Sequence, residues 1–296
     1  MGNLSYTRLM ANAIFAYKNK KTGIIADLVF GPRGKDAVFN SEGSSQVINQ
    51  LYAYWNITKS IKLTFGNFNT FLGYEVISPS ENFNYSTSYM FSYGPFSHTG
   101  LKADFSISEK WSAIFAIMNP TDYTENNPFD TYIIGGQLSY NRNTYLNIRY
   151  GNEGKPQEVH PTFQIDLTSW QNLTPTFYLG INATYLTNKL EDNEKSSGFY
   201  GVALYPQYKA SDKLFIGLRA EYFSVYNKGL INIIGLDTKG DGDVIATTLT
   251  GNYTVGNLTL KPELRLDITS ENSFFDTNNE ASKNLFSFVL GTVYKF

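Results

Sequence analysis

Apolar and polar residues alternate with a period of two along almost the whole chain, a pattern that suits strands and not helices. In residues 257–267, Leu258, Leu260, Leu264 and Leu266 share one face with Pro262, while Lys261, Glu263, Arg265 and Asp267 share the other. Residues 213–223 set Leu214, Ile216, Leu218, Ala220 and Tyr222 against Phe215, Gly217, Arg219, Glu221 and Phe223. Leu101, Ala103, Phe105 and Ile107 likewise oppose Lys102, Asp104 and Ser106. Strand side chains point alternately to opposite faces, so each segment has one oily and one polar face. About fifteen such segments are present. They lie near 8–18, 23–31, 45–56, 60–70, 97–107, 111–119, 131–141, 144–151, 161–169, 175–187, 197–209, 213–226, 243–254, 257–268 and 283–295. Alternation leaves the facing of 45–56 ambiguous. Most segments approach the ~9–11 residues with which a tilted strand crosses a bilayer.

The connections add an orientation. Those at 19–23, 58–60, 108–110, 142–143, 170–174, 210–212 and 255–256 are short, and they alternate with long stretches at 32–44, 71–96, 120–130, 152–160, 188–196, 227–242 and 269–282. Short turns at one end and long loops at the other are the habit of outer-membrane barrels. A soluble sandwich would have to bury every oily face between two sheets of ordinary size, and there are too many faces for that. Aromatics recur near strand ends, at Tyr17, Trp55, Trp111, Tyr140, Tyr185, Tyr222, Tyr226 and Tyr253, where a headgroup girdle would use them. The pattern therefore predicts an all-β chain, a single antiparallel transmembrane β-barrel over 1–296, in contact with the lipid of a bacterial outer membrane.

Composition closes off other classes. Aromatics make up 16% of the 296 residues and charged residues 17%, against roughly 25% charged in an ordinary soluble domain. A net charge of −2 leaves no basic face for nucleic acid, and the aromatic content excludes disorder. No apolar run is long enough for a membrane helix, and the absence of cysteine excludes disulfide scaffolds and thiolate sites. The chain stops on an aromatic strand, in which Phe288, Leu290, Tyr294 and Phe296 read as a signal to the barrel-assembly machinery. Bacterial single-chain barrels close with an even strand number, so about sixteen strands are expected. This reads the chain as trimmed, with one strand and a signal peptide upstream.

The most distinctive stretch is 65–101. It contains Gly66 and Phe68, then Gly73, Glu75, Val76 and Ile77, then Asn84, Tyr85 and Ser86, then Pro95, Phe96, His98, Thr99 and Gly100. In this order the phrases resemble the signature of the OmpL-like β-barrel porin family. A basic residue commonly follows the Asn-Tyr-Ser phrase in that family, whereas here it is Thr87. The resemblance implies an outer-membrane, channel-like barrel. Independently of it, about 26 residues is long for a structureless connection, and such loops usually have a function. With Phe71, Tyr74, Phe83, Tyr85, Tyr89, Phe91, Tyr93 and Phe96, this one is too apolar to sit freely in water. Two placements remain open: an inward fold, with Tyr74, Glu75, Glu81, Tyr85 and Tyr89 as a constriction, or an external lid packed on itself or a neighbour.

The polar faces predict the pore lining as Lys62, Lys102, Asp104, Asn147, Arg149, Asp166, Arg219, Glu221, Lys261, Glu263, Arg265 and Asp267. Both signs are mixed, which predicts weak ion selectivity. The charges at 219–221 and 261–267 lie on strands one apart, so they are expected either to form a cross-wall ladder or simply to brace the wall. Catalysis has little support. Ser97 and His98 are adjacent and so face opposite ways on a strand, and His160 has no nucleophile at a useful spacing. Asp237, Asp241 and Asp243 fall on positions of an EF-hand-type loop, but Lys239 stands where an oxygen ligand belongs. A hairpin loop with solvated carboxylates is the simpler reading, with no metal. The expected function is passive diffusion of small polar solutes, without reaction or cofactor. The rivals are a non-conducting barrel that serves other envelope proteins and, behind it, a barrel hydrolase.

Overall fold

Fifteen long strands form where the alternation places them. The computed structural model describes residues 9–38, 41–155, 159–189, 195–229 and 234–296. Residue 8 of the first expected segment, and parts of the expected loops at 32–44, 152–160, 188–196 and 227–242, lie outside the described residues. The strands are β1 (Ala11–Lys18), β2 (Thr22–Phe30), β3 (Ile48–Asn56), β4 (Ile61–Asn69), β5 (Ser97–Ser106), β6 (Trp111–Met118), β7 (Ile133–Tyr140) and β8 (Thr144–Gly151). Then come β9 (Thr162–Asn172), β10 (Phe177–Asn188), β11 (Ser197–Lys209), β12 (Leu214–Tyr226), β13 (Gly242–Val255) and β14 (Leu258–Thr269). A small hairpin of β15 (Phe274–Phe275) and β16 (Ala281–Ser282) interrupts the last long loop before β17 (Asn284–Tyr294). Every long strand pairs with the next, antiparallel, in one 15-stranded sheet of order β1 to β14 and then β17.

The third segment differs from its expected start. Gly43–Val47 is a 3-10 turn, so the strand opens at Ile48. A register shift at Asp27/Leu28 then makes Asn49 and Gln50 together oppose Asp27. Both amides donate to the Asp27 carboxylate, at 2.7 and 3.2 Å. The bulge aims two successive side chains at one inward acid, and so settles a facing that alternation alone left ambiguous.

Burial is inverted relative to a soluble protein. Among the described residues, buried polar and charged side chains outnumber buried apolar ones, while Phe65, Ile134, Leu204, Leu249, Leu264 and Phe288 are all exposed. In water that surface would be unstable; facing acyl chains, it is the stable arrangement. The strand-end aromatics lie on the same outer surface, with Trp111 against Tyr140 and Tyr185 against Tyr226.

The segment between β4 and β5 folds inward. Its only helix is α1, Tyr89–Tyr93, capped by the Ser88 hydroxyl, which accepts the Phe91 N–H at 3.0 Å. Tyr85 sits under the guanidinium of Arg33, just beyond β2, with 4.7 Å to the ring centroid. A Cβ added to Gly291 on β17 would lie 2.7 Å from Cγ of the same tyrosine. The two ends of the sheet thus curl round to meet the same ring. No pairing joins β1 to β17 among the described residues. A second consequence is that the space inside the sheet is partly filled. Tyr89 and Met90 pack with Leu186, Phe199, Phe223, Val225 and Val244 into an apolar core inside the sheet.

Candidate functional site

The inward loop is an irregular backbone inside a barrel, so its N–H and C=O groups need partners that no ladder supplies. The inner wall supplies them. Carboxylates take the donors: Asp166 accepts Gly73 N–H at 2.9 Å, Glu263 accepts Tyr85 and Ser86 at 2.8 and 3.0 Å, and Glu221 accepts Tyr89 and Met90 at 2.9 and 2.8 Å. Cations take the acceptors. Lys261 donates to the Pro79 and Asn82 carbonyls at 2.9 and 2.5 Å, and Arg265 donates to Thr87 at 2.8 Å. Arg219 donates to the Ser86 and Thr87 carbonyls at 2.7 and 3.1 Å and pairs with Glu75 of the loop itself at 2.7 Å. Glu75 in turn accepts Ser88 N–H at 2.6 Å. These are charge-assisted bonds away from bulk water, which makes each stronger than its surface counterpart.

The residues expected to line a pore lie on the inner faces of their strands, and most of them are covered. Asn147, Arg149, Asp166, Arg219, Glu221, Lys261, Glu263 and Asp267 are all buried rather than open to a water-filled pore. The loop, together with neighbouring wall side chains, covers them. Lys62, Lys102, Asp104 and Arg265 keep some exposure, with Lys62 and Lys102 at 3.6 and 3.4 Å from Asp104. The cross-wall ladder does not form, because β13 stands between the two charged strands and presents Thr248 opposite both Arg219 and Arg265. Asn147 and Asp166 instead join Gln137, which reaches the Phe71 carbonyl at 3.1 Å. Arg149 bonds Glu153, Thr121 and Gln164.

The five loop residues expected at a constriction all make internal contacts. The Tyr74 hydroxyl meets that of Tyr178 at 2.7 Å, and its ring stacks 4.1 Å from Tyr205. The Lys295 ammonium bonds Glu81 at 2.8 Å and holds its carboxyl below the usual carboxylate range. Glu75, Tyr85 and Tyr89 are the anchor points already described. Sequence reasoning missed the complementary feature on the wall, which is a set of strand glycines beneath loop side chains. A Cβ on Gly135, Gly180, Gly201 or Gly217 would come within 2.8 Å of Phe71, Tyr74, Met90 or Phe83 respectively. Glycine on the inward face of a strand was the available signal, since it marks close approach.

Elsewhere the sequence candidates have local roles. His98 is buried, with Nε2 3.0 Å from the Thr70 hydroxyl and its ring 5.2 Å from that of Phe71. Asp237 accepts N–H groups of Lys239 and Asp241 at 2.8 and 2.9 Å, whereas Asp241 turns to Asn227 and Asp243 to the Tyr222 hydroxyl. Among the described residues no cluster of His, Asp and Glu is disposed to hold a metal. Phe288, Leu290 and Tyr294 form an exposed outward row on β17, with Phe296 just beyond it.

Asp122, which sequence reasoning did not single out, fastens the end of the loop. Its Oδ1 accepts Phe96 and Ser97 N–H at 2.7 and 2.8 Å. Burial pushes its carboxyl up from 3.8 to about 7, against the opposing pull of those two donors. In the folded chain it holds its proton where the unfolded chain has released it, so this group's contribution to stability falls as pH rises from about 4 to about 7. Asp122→Asn should remove that slope, of at most about 1.4 kcal/mol per pH unit, while keeping an acceptor for both amides. Thermal unfolding in detergent at pH 5 and pH 8 checks this. The variant should gain on the parent at the higher pH, and parallel curves would contradict it.

Two cavities flank the loop. One, of about 710 Å³, opens among the short turns and is lined by Trp170, Phe215, Asn257 and Lys295. The other, of about 460 Å³, lies on the long-loop side between Arg33 and Arg265. They share no lining residue.

Comparison with known proteins accords with this architecture. The structure is similar to an anion-selective porin from Comamonas acidovorans, with TM-score 0.63 and 10% identity, covering 97% of this chain and 88% of that one. It is also similar to a loop L8 deletion mutant of the outer-membrane protein OmpT of Vibrio cholerae, with TM-score 0.61 and 13% identity, covering 96% and 89%. At these identities the likeness shows the barrel fold alone. No curated protein matches the sequence. The family model described as "Putative beta-barrel porin-2, OmpL-like" matches residues 5–296. The chain therefore belongs to the OmpL-like β-barrel porin family of the bacterial outer membrane.

Proposed function

We propose that the barrel lets small polar solutes diffuse passively through it with weak ion selectivity, and that the inward loop sets its constriction. The observation that carries this reading is the placement of the loop between two cavities, one toward each end of the wall. Most charge along the route is paired: Glu75 with Arg219, Glu81 with Lys295, and Asp104 with Lys62 and Lys102, which leaves one lysine in excess. Such a path has little preference for either ion sign. No reaction and no cofactor is part of this proposal. The outward aromatic row of β17 is the surface we assign to the barrel-assembly machinery.

Purified protein in planar bilayers should give stepwise currents whose reversal potential stays near zero in a roughly tenfold KCl gradient. A second reading has a specific observation in its favour, because the cavities share no lining residue and the loop is anchored along most of its length. On that reading the barrel is non-conducting and serves other envelope proteins through its external loops. Absence of current steps from folded, heat-modifiable protein would favour it.

A further inference from the structure

The cavity on the short-turn side is more than a widening of a pore. Inside a barrel, polar faces are expected to end in polar side chains, yet Phe215 points inward there and remains 37% exposed. Beside it, Phe83 of the loop covers Gly217, so the two rings form an apolar patch on one side of the cavity. Trp170 and Tyr178 line the same space from β9 and β10. The amides of Gln207, Asn252 and Asn257 line it as well, that of Asn252 already donating to the Phe83 carbonyl at 3.0 Å. Lys261 is committed to loop carbonyls, Glu75 to Arg219 and Glu81 to Lys295. The cavity therefore offers aromatic surface and neutral hydrogen-bonding groups, but no uncompensated charge. Its volume of about 710 Å³ falls in the roughly 300–1,000 Å³ range of small-molecule sites.

We infer that this cavity is a binding site for a neutral saccharide of one or two rings. A pyranose has flat C–H faces that pack on aromatic rings and a hydroxyl rim that amides bond in either sense. A carboxylate or ammonium on the ligand would be desolvated here without a free partner. The other cavity has rings too, those of Tyr89, Phe91 and Phe96, but it sets Arg33 and Arg265 at its walls and has no side-chain amide in its lining. The assignment goes beyond passive diffusion, and it stands whether or not the barrel conducts.

The test is binding in detergent, separate from conductance. Lactose and its charged relative lactobionate are titrated by calorimetry and by tryptophan fluorescence. Trp55 and Trp111 are exposed on the outer surface, so a sugar-dependent signal has Trp170 as its source. Lactose should bind saturably in the millimolar range, at least about fivefold more tightly than lactobionate. Trp170→Phe should abolish the fluorescence change. Phe215→Ala and, separately, Gln207→Leu should each weaken lactose binding about tenfold, with heat-modifiable migration retained to show folding. No saturable binding up to about 100 mM lactose, equal or tighter binding of lactobionate, or unchanged affinity in both folded variants would overturn the assignment.

Discussion

Arg219→Ala is expected to release the inward loop from the wall while the barrel around it stays folded. The guanidinium is fully buried and satisfies Glu75, two loop carbonyls and the Thr248 hydroxyl at once. Its removal leaves the Glu75 carboxylate, 3% exposed, without its cation. Breaking a buried pair from one side costs about 3–5 kcal/mol. The sheet has no need to bear that cost, because β12 keeps its ladder to β11 and β13 through backbone groups. The loop can avoid it by lifting Glu75 into water, and its other anchors then lose their geometry together. We expect single-channel conductance to rise several-fold with added current noise, and residues 79–89 to become cleavable by protease in folded protein. Arg219→Met combined with Glu75→Gln removes both charges and should recover most of the protection, since an unpaired charge rather than a missing contact is the main penalty. Wild-type conductance together with wild-type protection in Arg219→Ala would show that the loop does not depend on this pair.

That prediction rests on a partner the sequence could not reveal. The strands were legible because each obeys a local rule, lipid on one side and polar groups on the other, visible within ten residues as in Leu258–Asp267. The inward facing of Arg219, Glu221, Lys261 and Glu263 follows from the same rule. What those groups bind does not, because the partners lie in an irregular loop: the Glu75 carboxylate, 144 positions from Arg219, and the Tyr85 N–H, 178 positions from Glu263. Nothing in local periodicity encodes such a distance. A mixed set of charges on neighbouring strands has the same pattern whether it faces water or a peptide. The distinguishing clue lay in the glycines. Gly180, Gly201, Gly217 and Gly291 sit on inward faces, where a water-filled lumen would not require the missing side chain, and each faces a bulky residue of the loop.

Gly291→Ala should therefore disturb the loop through a single methyl group. The new Cβ would stand 2.7 Å from Tyr85 Cγ, close to the ring's attachment point, so the tyrosine cannot swing a flexible end aside. Tyr85 is also held from two other directions, by Arg33 over its ring and by Glu263 at its N–H. Relief has to come from the backbone at 84–86, which would pull Tyr85 and Ser86 off the Glu263 carboxylate and leave that acid buried with fewer donors. Overpacking of this kind costs about 1–3 kcal/mol. Hydrogen exchange in detergent should report it locally, with faster exchange at Tyr85 and Ser86 and unchanged exchange along β14. Adding Tyr85→Ser removes the ring that the methyl meets, so the double variant should lose less than the two single changes predict. A coupling of about 1 kcal/mol or more is the expected signature. Gly251→Ala is the matched control, because its Cβ would meet only Pro262, at an ordinary 3.6 Å. If Gly291→Ala exchanges like this control, the ring does not rest on the wall glycine, and the loop is held by its polar anchors alone.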